Sequence, residues 1–138
     1  MNLLIIDDDY LSNLVHTRIA RNTGLFKEIR VVPSGKAALE IFNQISEDAR
    51  TFPDVIFLDL DKPVMDGFDF ILALEKLNFP KKEQLSIVIL TSSDKHEDLA
   101  RAREMGIKHY LQKSFLLKDL QTTLFSINNM DLEKSATL

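Results

Sequence analysis

Five short apolar runs recur along the chain at similar intervals, and this spacing constrains the fold more than any other feature. The runs start at residues 3, 29, 55, 87 and 107, so successive starts lie 26, 26, 32 and 20 residues apart. Short runs rich in β-branched residues, separated by helical patterns, indicate strands that are buried on both faces of a parallel sheet. We therefore expect an α/β domain built from five successive βα units.

The segments between the runs show the periodicity of amphipathic helices. We expect their apolar faces to pack on the sheet, and Phe57, Phe70 and Phe125 to lie in the core. The four stronger faces are Leu11, Leu14, Val15 and Ile19 in the first helix, Ala38, Ile41, Phe42 and Ile45 in the second, Phe70, Ile71, Leu74 and Leu77 in the third, and Leu117, Leu120, Leu124 and Ile127 in the fifth.

The fourth helical segment, residues 95–105, has a thinner apolar face, because two of its four apolar residues are alanine. A helix with so little apolar anchorage is a candidate for a moving part. The three histidines, His16, His96 and His109, are scattered along the sequence. We expect them to be surface residues or satisfied by hydrogen bonds, and not to bind a ligand.

Length and composition exclude several classes of protein. With 138 residues the chain has room for one domain. It has no cysteine, which excludes thiolate zinc sites, thiol catalysis and disulfides. Its net charge of −4 lacks the basic excess of nucleic-acid-binding proteins, so we expect no direct nucleic-acid partner. No apolar run approaches the roughly 18 residues of a membrane span, and no signal peptide is evident. We expect a cytoplasmic protein without membrane insertion.

Polar side chains follow four of the five predicted strands. In a doubly wound parallel sheet, ligands bind outside the carboxyl ends of the strands. We therefore expect these groups to converge on one edge, where they can support phosphate or metal chemistry. The segments are Asp7-Asp8-Asp9, Asp59-Leu60-Asp61, Thr91-Ser92-Ser93 and Gln112-Lys113-Ser114.

Together these segments resemble the receiver domain of two-component response regulators. The resemblance covers residues 1–128, and we expect a short polar tail at 129–138. It implies a doubly wound, flavodoxin-like (βα)5 fold with strand order 2-1-3-4-5 and helices on both faces of the sheet. The matching motifs are Ile5-Ile6-Asp7-Asp8, Phe57-Leu58-Asp59-Leu60-Asp61-Lys62-Pro63-Val64-Met65-Asp66-Gly67, Leu90-Thr91-Ser92 and Tyr110-Leu111-Gln112-Lys113.

The gathered carboxylates call for a cation. At about 4 Å and an effective dielectric near 20, each like-charged pair costs about 4 kcal/mol. Hard oxygen ligands without nearby His or Cys select Mg²⁺, or Mn²⁺, over zinc or copper. We expect Asp8 and Asp59 to bind the ion directly and Asp7 to assist through water, and the resemblance implies the backbone carbonyl of Asp61 as a further ligand.

The same residues predict a phosphoryl acceptor. Asp59 is the expected nucleophile, because a carboxylate can accept a phosphoryl group as an acyl phosphate. The charge on the phosphoryl oxygens needs donors, which we expect from the ammonium of Lys113 and the hydroxyl of Thr91. Thr91 is then drawn inward, and Tyr110 occupies the position of the family's switch aromatic. We expect a population shift that biases the fourth helix.

The resemblance implies a signalling protein and not an enzyme with its own substrate. We expect a stand-alone receiver, a monomer or weak dimer, that takes phosphoryl from a sensor histidine kinase or phosphotransfer protein. Its output is a relay step or contact with an unknown downstream protein. One departure from the family is Ser114, which follows Lys113 where a proline is usual. Because a cis peptide before a residue other than proline is costly, we expect this loop to be trans.

Three alternatives stay open from the sequence. In the first alternative, the acidic run Asp7 to Asp9 caps the first helix and has no other role. Asp59-Leu60-Asp61 also resembles the first motif of haloacid-dehalogenase-type phosphatases, although that motif usually opens the chain and Asp7 and Asp8 then have no role. A degenerate receiver can act as an interaction module that does not depend on phosphorylation.

Overall fold

A computed structural model describes residues 1–44, 52–60, 67–92 and 96–136. Within them lies a parallel sheet of five strands with the order β2-β1-β3-β4-β5, as the resemblance implied. The strands are β1 (Asn2–Ile6), β2 (Glu28–Val32), β3 (Val55–Asp59), β4 (Ser86–Thr91) and β5 (His109–Gln112). The helices are α1 (Tyr10–Asn22), α2 (Gly35–Gln44), α3 (Gly67–Glu75), α4 (His96–Glu104) and α5 (Leu117–Ala136), with a short 3₁₀ turn at Lys82–Gln84.

The sheet separates two hydrophobic clusters, because side chains alternate between its faces. In the central strand β3, Val55 and Phe57 pack with α1 and α5 on one face. Ile56 and Leu58 pack with α2, α3 and α4 on the other. All five residues of β3 are buried, which agrees with the prediction of strands covered on both sides. The prediction is wrong for the edge strand β2, where Val31 is 40% exposed and only Val32 is buried.

The predicted faces of α2, α3 and α5 are confirmed wherever they are described, except at Leu117, which is half-buried at the start of α5. Ala38 and Phe42 of α2 are buried, and so are Phe70, Ile71 and Leu74 of α3. Ile45, predicted for the face of α2, lies outside the described residues. In α5 the buried residues are Leu120, Leu124 and Ile127.

The predicted face of α1 is wrong for three of its four residues, since only Ile19 packs against the core. Leu11 is 68% exposed, and Leu14 and Val15 are each 52% exposed. The buried residues of the helix are His16 and Ala20. Two hydrogen bonds explain this orientation, because polar side chains on the inner side of α1 bind backbone carbonyls at the carboxyl edge of the sheet. The apolar stripe is thereby turned towards solvent.

Phe125 is a second correction, because it is 67% exposed on α5 and does not lie in the core. The last helix runs to Ala136, so residues 129–136, which we expected in a polar tail, continue α5. In the part of the chain that is described, no helix is both long and apolar enough to cross a membrane.

The thin apolar face predicted for the fourth helix is confirmed. Among the side chains described for α4, at residues 97–104, only Ala102 is fully buried. The helix is also linked to α3 by a cation–π contact, in which the guanidinium of Arg101 lies 4.1 Å from the centre of the Phe68 ring. Such contacts contribute about 0.5–1 kcal/mol at exposed sites. The anchorage of α4 is therefore weak.

Candidate phosphoryl-acceptor site

The predicted convergence of polar groups occurs at the carboxyl edge of the sheet. Ile6 pairs with Leu58 across β1 and β3, so Asp7 and Asp59 follow paired positions on adjacent strands. Thr91 pairs with Gln112 across β4 and β5, so Lys113 comes directly after that pair. Asp7, Asp59 and Thr91 are all buried. The strand register therefore brings four of the predicted residues to one place.

An ion pair joins two of these residues. Lys113 Nζ lies 2.8 Å from Asp59 Oδ2, where the Asp59 side chain is fully buried and that of Lys113 is 23% exposed. The backbone N–H of Lys113 donates to the carbonyl oxygen of Thr91 at 2.9 Å. The ammonium thus reaches the carboxylate from a backbone that is fixed to the end of β4.

The acidic segment after β1 is held in a defined conformation. Asp7 Oδ1 accepts a hydrogen bond from the backbone N–H of Asp9 at 2.9 Å. The side-chain amide of Asn13 donates to the carbonyl oxygen of Asp7 at 2.8 Å, and the N–H of Asp7 donates to Val32 at 3.0 Å. Asp8 is exposed. Asp7 therefore lies inside the site, and Asp8 lies at its opening.

Asp9 is the N-cap of α1. Its Oδ2 accepts from the backbone N–H of Ser12 at 3.3 Å and from the Ser12 hydroxyl at 2.5 Å. The simpler interpretation of the acidic run as a helix cap therefore accounts for Asp9 and leaves Asp7 and Asp8 unexplained.

The donor set fits a hard divalent cation. Among the described residues, Asp7, Asp8 and Asp59 bring three carboxylates to the edge where the ammonium of Lys113 lies, and oxygen donors of this kind suit Mg²⁺. Asp61, the fourth predicted ligand, lies outside the described residues. Within the described part of the chain, no group of three or more His, Cys, Asp or Glu residues is already arranged around a metal position.

The two predicted switch residues lie on the same side of the sheet. Thr91 shares the side-chain alternation of Ile87 and Ile89, which pack in the cluster with α4, and Tyr110 packs against that cluster too. The Tyr110 hydroxyl donates to the carbonyl of Ile107. The guanidinium of Arg103 lies 5.9 Å from the centre of the Tyr110 ring. Tyr110 is therefore half-buried between the sheet and α4.

A comparison with known protein families shows which family has this arrangement. The model of the response regulator receiver domain matches residues 3–125. The chain belongs to this family. It is a receiver domain of two-component signalling, as its motifs indicated.

Individual relatives agree with the family assignment. Response regulator Rcp1 of Synechocystis is 29% identical over 95% of this receiver and 88% of its own length. The structure of a two component response regulator from Cytophaga hutchinsonii aligns with a TM-score of 0.81 at 29% identity, covering 93% of this chain and 96% of that chain. The receiver domain of the histidine kinase CKI1 from Arabidopsis thaliana, solved with Mg²⁺ and BeF₃⁻, aligns with a TM-score of 0.75 at 26% identity over 93% of this chain and 89% of that chain.

Sequence reasoning missed His16. It is 1% exposed, and its Nε2 lies 2.9 Å from the carbonyl oxygen of Lys113. His16 and Ala20 are four residues apart and therefore share one side of α1. The apolar periodicity favours the opposite side as the buried one, so little in the sequence indicates a role for His16. The Lys113–Ser114 peptide is trans, as expected without the proline of the receiver family.

Proposed function

We propose that this receiver accepts a phosphoryl group on Asp59 in a Mg²⁺-dependent reaction. The observation that carries the proposal is the contact of 2.8 Å between the buried Asp59 carboxylate and Lys113 Nζ. An ion pair this far from solvent contributes little net stability, because desolvation offsets the attraction. Its position at the meeting point of β1, β3, β4 and β5 supports a role in chemistry.

The proposed reaction is a single group transfer. A carboxylate oxygen of Asp59 forms a bond to phosphorus while the bond from phosphorus to the donor breaks, and the leaving group takes the electron pair. With a phosphohistidine donor the P–N bond breaks and the imidazole takes up a proton. The product is an acyl phosphate on Asp59. Hydrolysis of that bond later returns the carboxylate and inorganic phosphate.

Lys113 and Thr91 are the proposed donors to the phosphoryl oxygens. The ammonium of Lys113 is already at the carboxylate, and Thr91 is buried at the end of the neighbouring strand. Donors that are in place before the reaction stabilise developing charge without reorganisation. Asp7, Asp8, Asp59 and the carbonyl of Asp61 are the residues that would hold Mg²⁺. The bound ion supplies charge compensation between the anionic donor and the acidic site.

We propose a sensor histidine kinase or a phosphotransfer protein as the phosphoryl source. An exposed apolar stripe on α1 supports this, since it begins directly after the acidic segment of the site and large exposed apolar patches mark interaction surfaces. The stripe consists of Tyr10, Leu11, Leu14 and Val15, each at least half exposed. A docking partner on this stripe can present its phosphohistidine to Asp59.

We further propose that phosphorylation shifts the population of α4 conformations. Thr91 would move towards the new phosphoryl oxygen, and Tyr110 would move into the space that it leaves. The weak anchorage of α4 through Ala102 and Arg101 supports this part of the proposal. The altered surface of α4 and β5 would then change the affinity for a downstream protein.

Intact-mass spectrometry tests the proposed function. The receiver is incubated with a small phosphoryl donor, with and without Mg²⁺, beside the variants Asp59→Asn and Asp69→Asn. Asp69 lies on the exposed side of α3 and serves as the matched control. We expect one phosphoryl addition that requires Mg²⁺, persists in Asp69→Asn and disappears in Asp59→Asn. A folded receiver that gains no phosphoryl group would overturn the proposal and favour a phosphorylation-independent interaction module.

A further inference from the structure

His16 is a fully buried histidine that the proposed reaction does not use. It lies on α1, and its ring stacks on Phe115, with centroids 4.8 Å apart and ring planes 21° apart. Phe115 in turn meets Phe57 edge to face at 6.0 Å. Phe57 lies two residues before Asp59 on β3. The imidazole therefore belongs to an aromatic stack that joins α1, the loop after β5 and the strand of the acceptor aspartate.

The hydrogen bond of His16 defines the position of its proton. A carbonyl oxygen can only accept, so the contact of 2.9 Å to the Lys113 carbonyl requires that Nε2 carries the hydrogen. Nδ1 of the same ring is buried and has no hydrogen-bond partner among the described residues. Burying a polar atom without a partner is unfavourable, and an apolar ring would fill this place at lower cost. Because the chain keeps a histidine here despite the cost of burying Nδ1, we infer that the Nε2 hydrogen bond has a function.

That function follows from the backbone of Lys113. Its N–H is bound to the Thr91 carbonyl at 2.9 Å, and its carbonyl is bound by His16 at 2.9 Å. Both hydrogen-bonding groups of this residue are thus held by two different elements, β4 and α1. Ser114, which follows, has no ring to restrict the chain. His16 thus holds the Lys113 carbonyl from α1, while β4 holds the Lys113 N–H.

We propose that His16 is a positioning residue that fixes the segment from Lys113 to Phe115, so that Lys113 Nζ stays at the Asp59 carboxylate. The kinetic consequences of this role rest on the proposed function, whereas its geometric consequences do not. A displacement of about 1 Å at a reacting group can reduce a rate by about a hundredfold. The hydrogen bond therefore has a large effect on phosphorylation although His16 contacts neither Asp59 nor the phosphoryl group.

Three variants test the role. His16→Phe keeps a ring against Phe115 and removes the donor, and His16→Gln places an amide N–H at a reach similar to that of Nε2. Ala20→Gly weakens the same helix without touching Lys113. We expect His16→Phe to lower the phosphorylation rate constant at saturating donor by about tenfold or more, and His16→Gln to restore it to within about threefold of the unsubstituted receiver. Ala20→Gly is expected to lower the melting temperature and leave the rate unchanged.

A double-mutant cycle with Lys113→Ala separates positioning from general stability. If His16 acts through Lys113, then His16→Phe has no further effect on the rate once Lys113 is alanine. An equal reduction in both backgrounds would overturn the proposal, and so would a His16→Phe variant that reacts at the unsubstituted rate. A failure of His16→Gln to recover the rate would also contradict it.

Nuclear magnetic resonance gives a readout that does not need phosphorylation. We expect a hydrogen on Nε2 of the His16 ring, and we expect the side-chain resonances of Lys113 to shift in His16→Phe, return in His16→Gln and stay in place in Ala20→Gly. If these shifts occur in a receiver that accepts no phosphoryl group, the proposed function fails and the positioning role holds. If phosphorylation occurs and the Lys113 resonances ignore His16, the positioning role fails.

Discussion

Two helices flank the same edge of the sheet and are held in different ways. α1 turns polar side chains inward, and Asn13 and His16 donate to the carbonyl oxygens of Asp7 and Lys113 at 2.8 and 2.9 Å. α4 is packed through Ala102, through the half-buried Leu99 and through the contact of Arg101 with Phe68. Buried hydrogen bonds demand a narrow geometry, whereas small side chains and ring contacts tolerate sliding. α1 therefore holds its side of the site in a fixed geometry, whereas α4, on the other side, can change its position.

The largest expected effect comes from removing the ammonium of Lys113, whose backbone is bound by α1. Lys113→Ala removes the ammonium that lies 2.8 Å from the buried carboxylate of Asp59. Breaking a fully buried pair costs about 3–5 kcal/mol, and the partial exposure of Lys113 reduces the expected loss of unfolding free energy to about 2 kcal/mol. Urea unfolding measures it, with Lys118→Ala on the exposed side of α5 as the control. An unchanged midpoint would contradict the buried pair.

Amide hydrogen exchange compares the two helices directly. We expect the amides of α4 to open with a free energy at least about 1 kcal/mol lower than those of α1, because Asn13 and His16 bind α1 to backbone carbonyls at the edge of the sheet. Addition of Mg²⁺ with beryllofluoride as a phosphoryl analogue is expected to change exchange in α4 and β5 more than in α1. Equal protection of the two helices, or a change confined to α1, would refute the comparison.

A weaker contact of α4 gives a smaller effect. Arg101→Gln removes the cation above the Phe68 ring, which lies 4.1 Å from the guanidinium carbon. We expect unfolding free energy to fall by about 0.5–1 kcal/mol and exchange in α4 to become faster. Arg18→Gln, on the exposed surface of α1, is the matched control and is expected to change neither quantity.

The corrected orientation of α1 predicts a near-zero effect where the periodicity predicted a large one. Leu14 is 52% exposed, so Leu14→Ser is expected to change stability by less than about 0.5 kcal/mol. A core leucine would lose several times more. The same variant is expected to slow phosphotransfer from a protein donor and to leave phosphorylation by a small donor unchanged. A large drop in stability would instead place Leu14 in the core.

The last expected effect concerns the dependence of stability on pH. Burial, and secondarily the charge of Lys108, lower the pKa of His109 below its usual 6.5. The unfolded chain then binds this proton more readily, so the contribution of His109 to stability is present above pH 6.5 and lost as pH falls through the lowered pKa. We expect His109→Gln to lose less stability than the unsubstituted receiver between about pH 7 and pH 5, as measured by urea unfolding. An identical loss would contradict the shift.

The sequence predicted the sheet and the members of its edge well, because these depend on local patterns. Continuous apolar runs such as the one in β3 require burial on both faces, and parallel strands carry whatever follows them to a common edge. Asp7, Asp59, Thr91 and Lys113 could therefore be grouped before any contact was known. The thin face of α4 was visible for the same reason, since apolar residues can be counted.

The orientation of α1 was decided only by the tertiary structure. The stripe from Leu11 to Val15 has the periodicity of a buried face, and yet it is exposed, because the helix satisfies hydrogen bonds to two loop carbonyls instead. Those carbonyls belong to residues 6 and 97 positions away in the sequence, so no local pattern reports them. By itself the sequence determined which groups meet at the sheet edge. The tertiary structure decided which helix holds them, because the contact of His16 with Lys113 depends on how a helix and a loop 97 residues apart are placed.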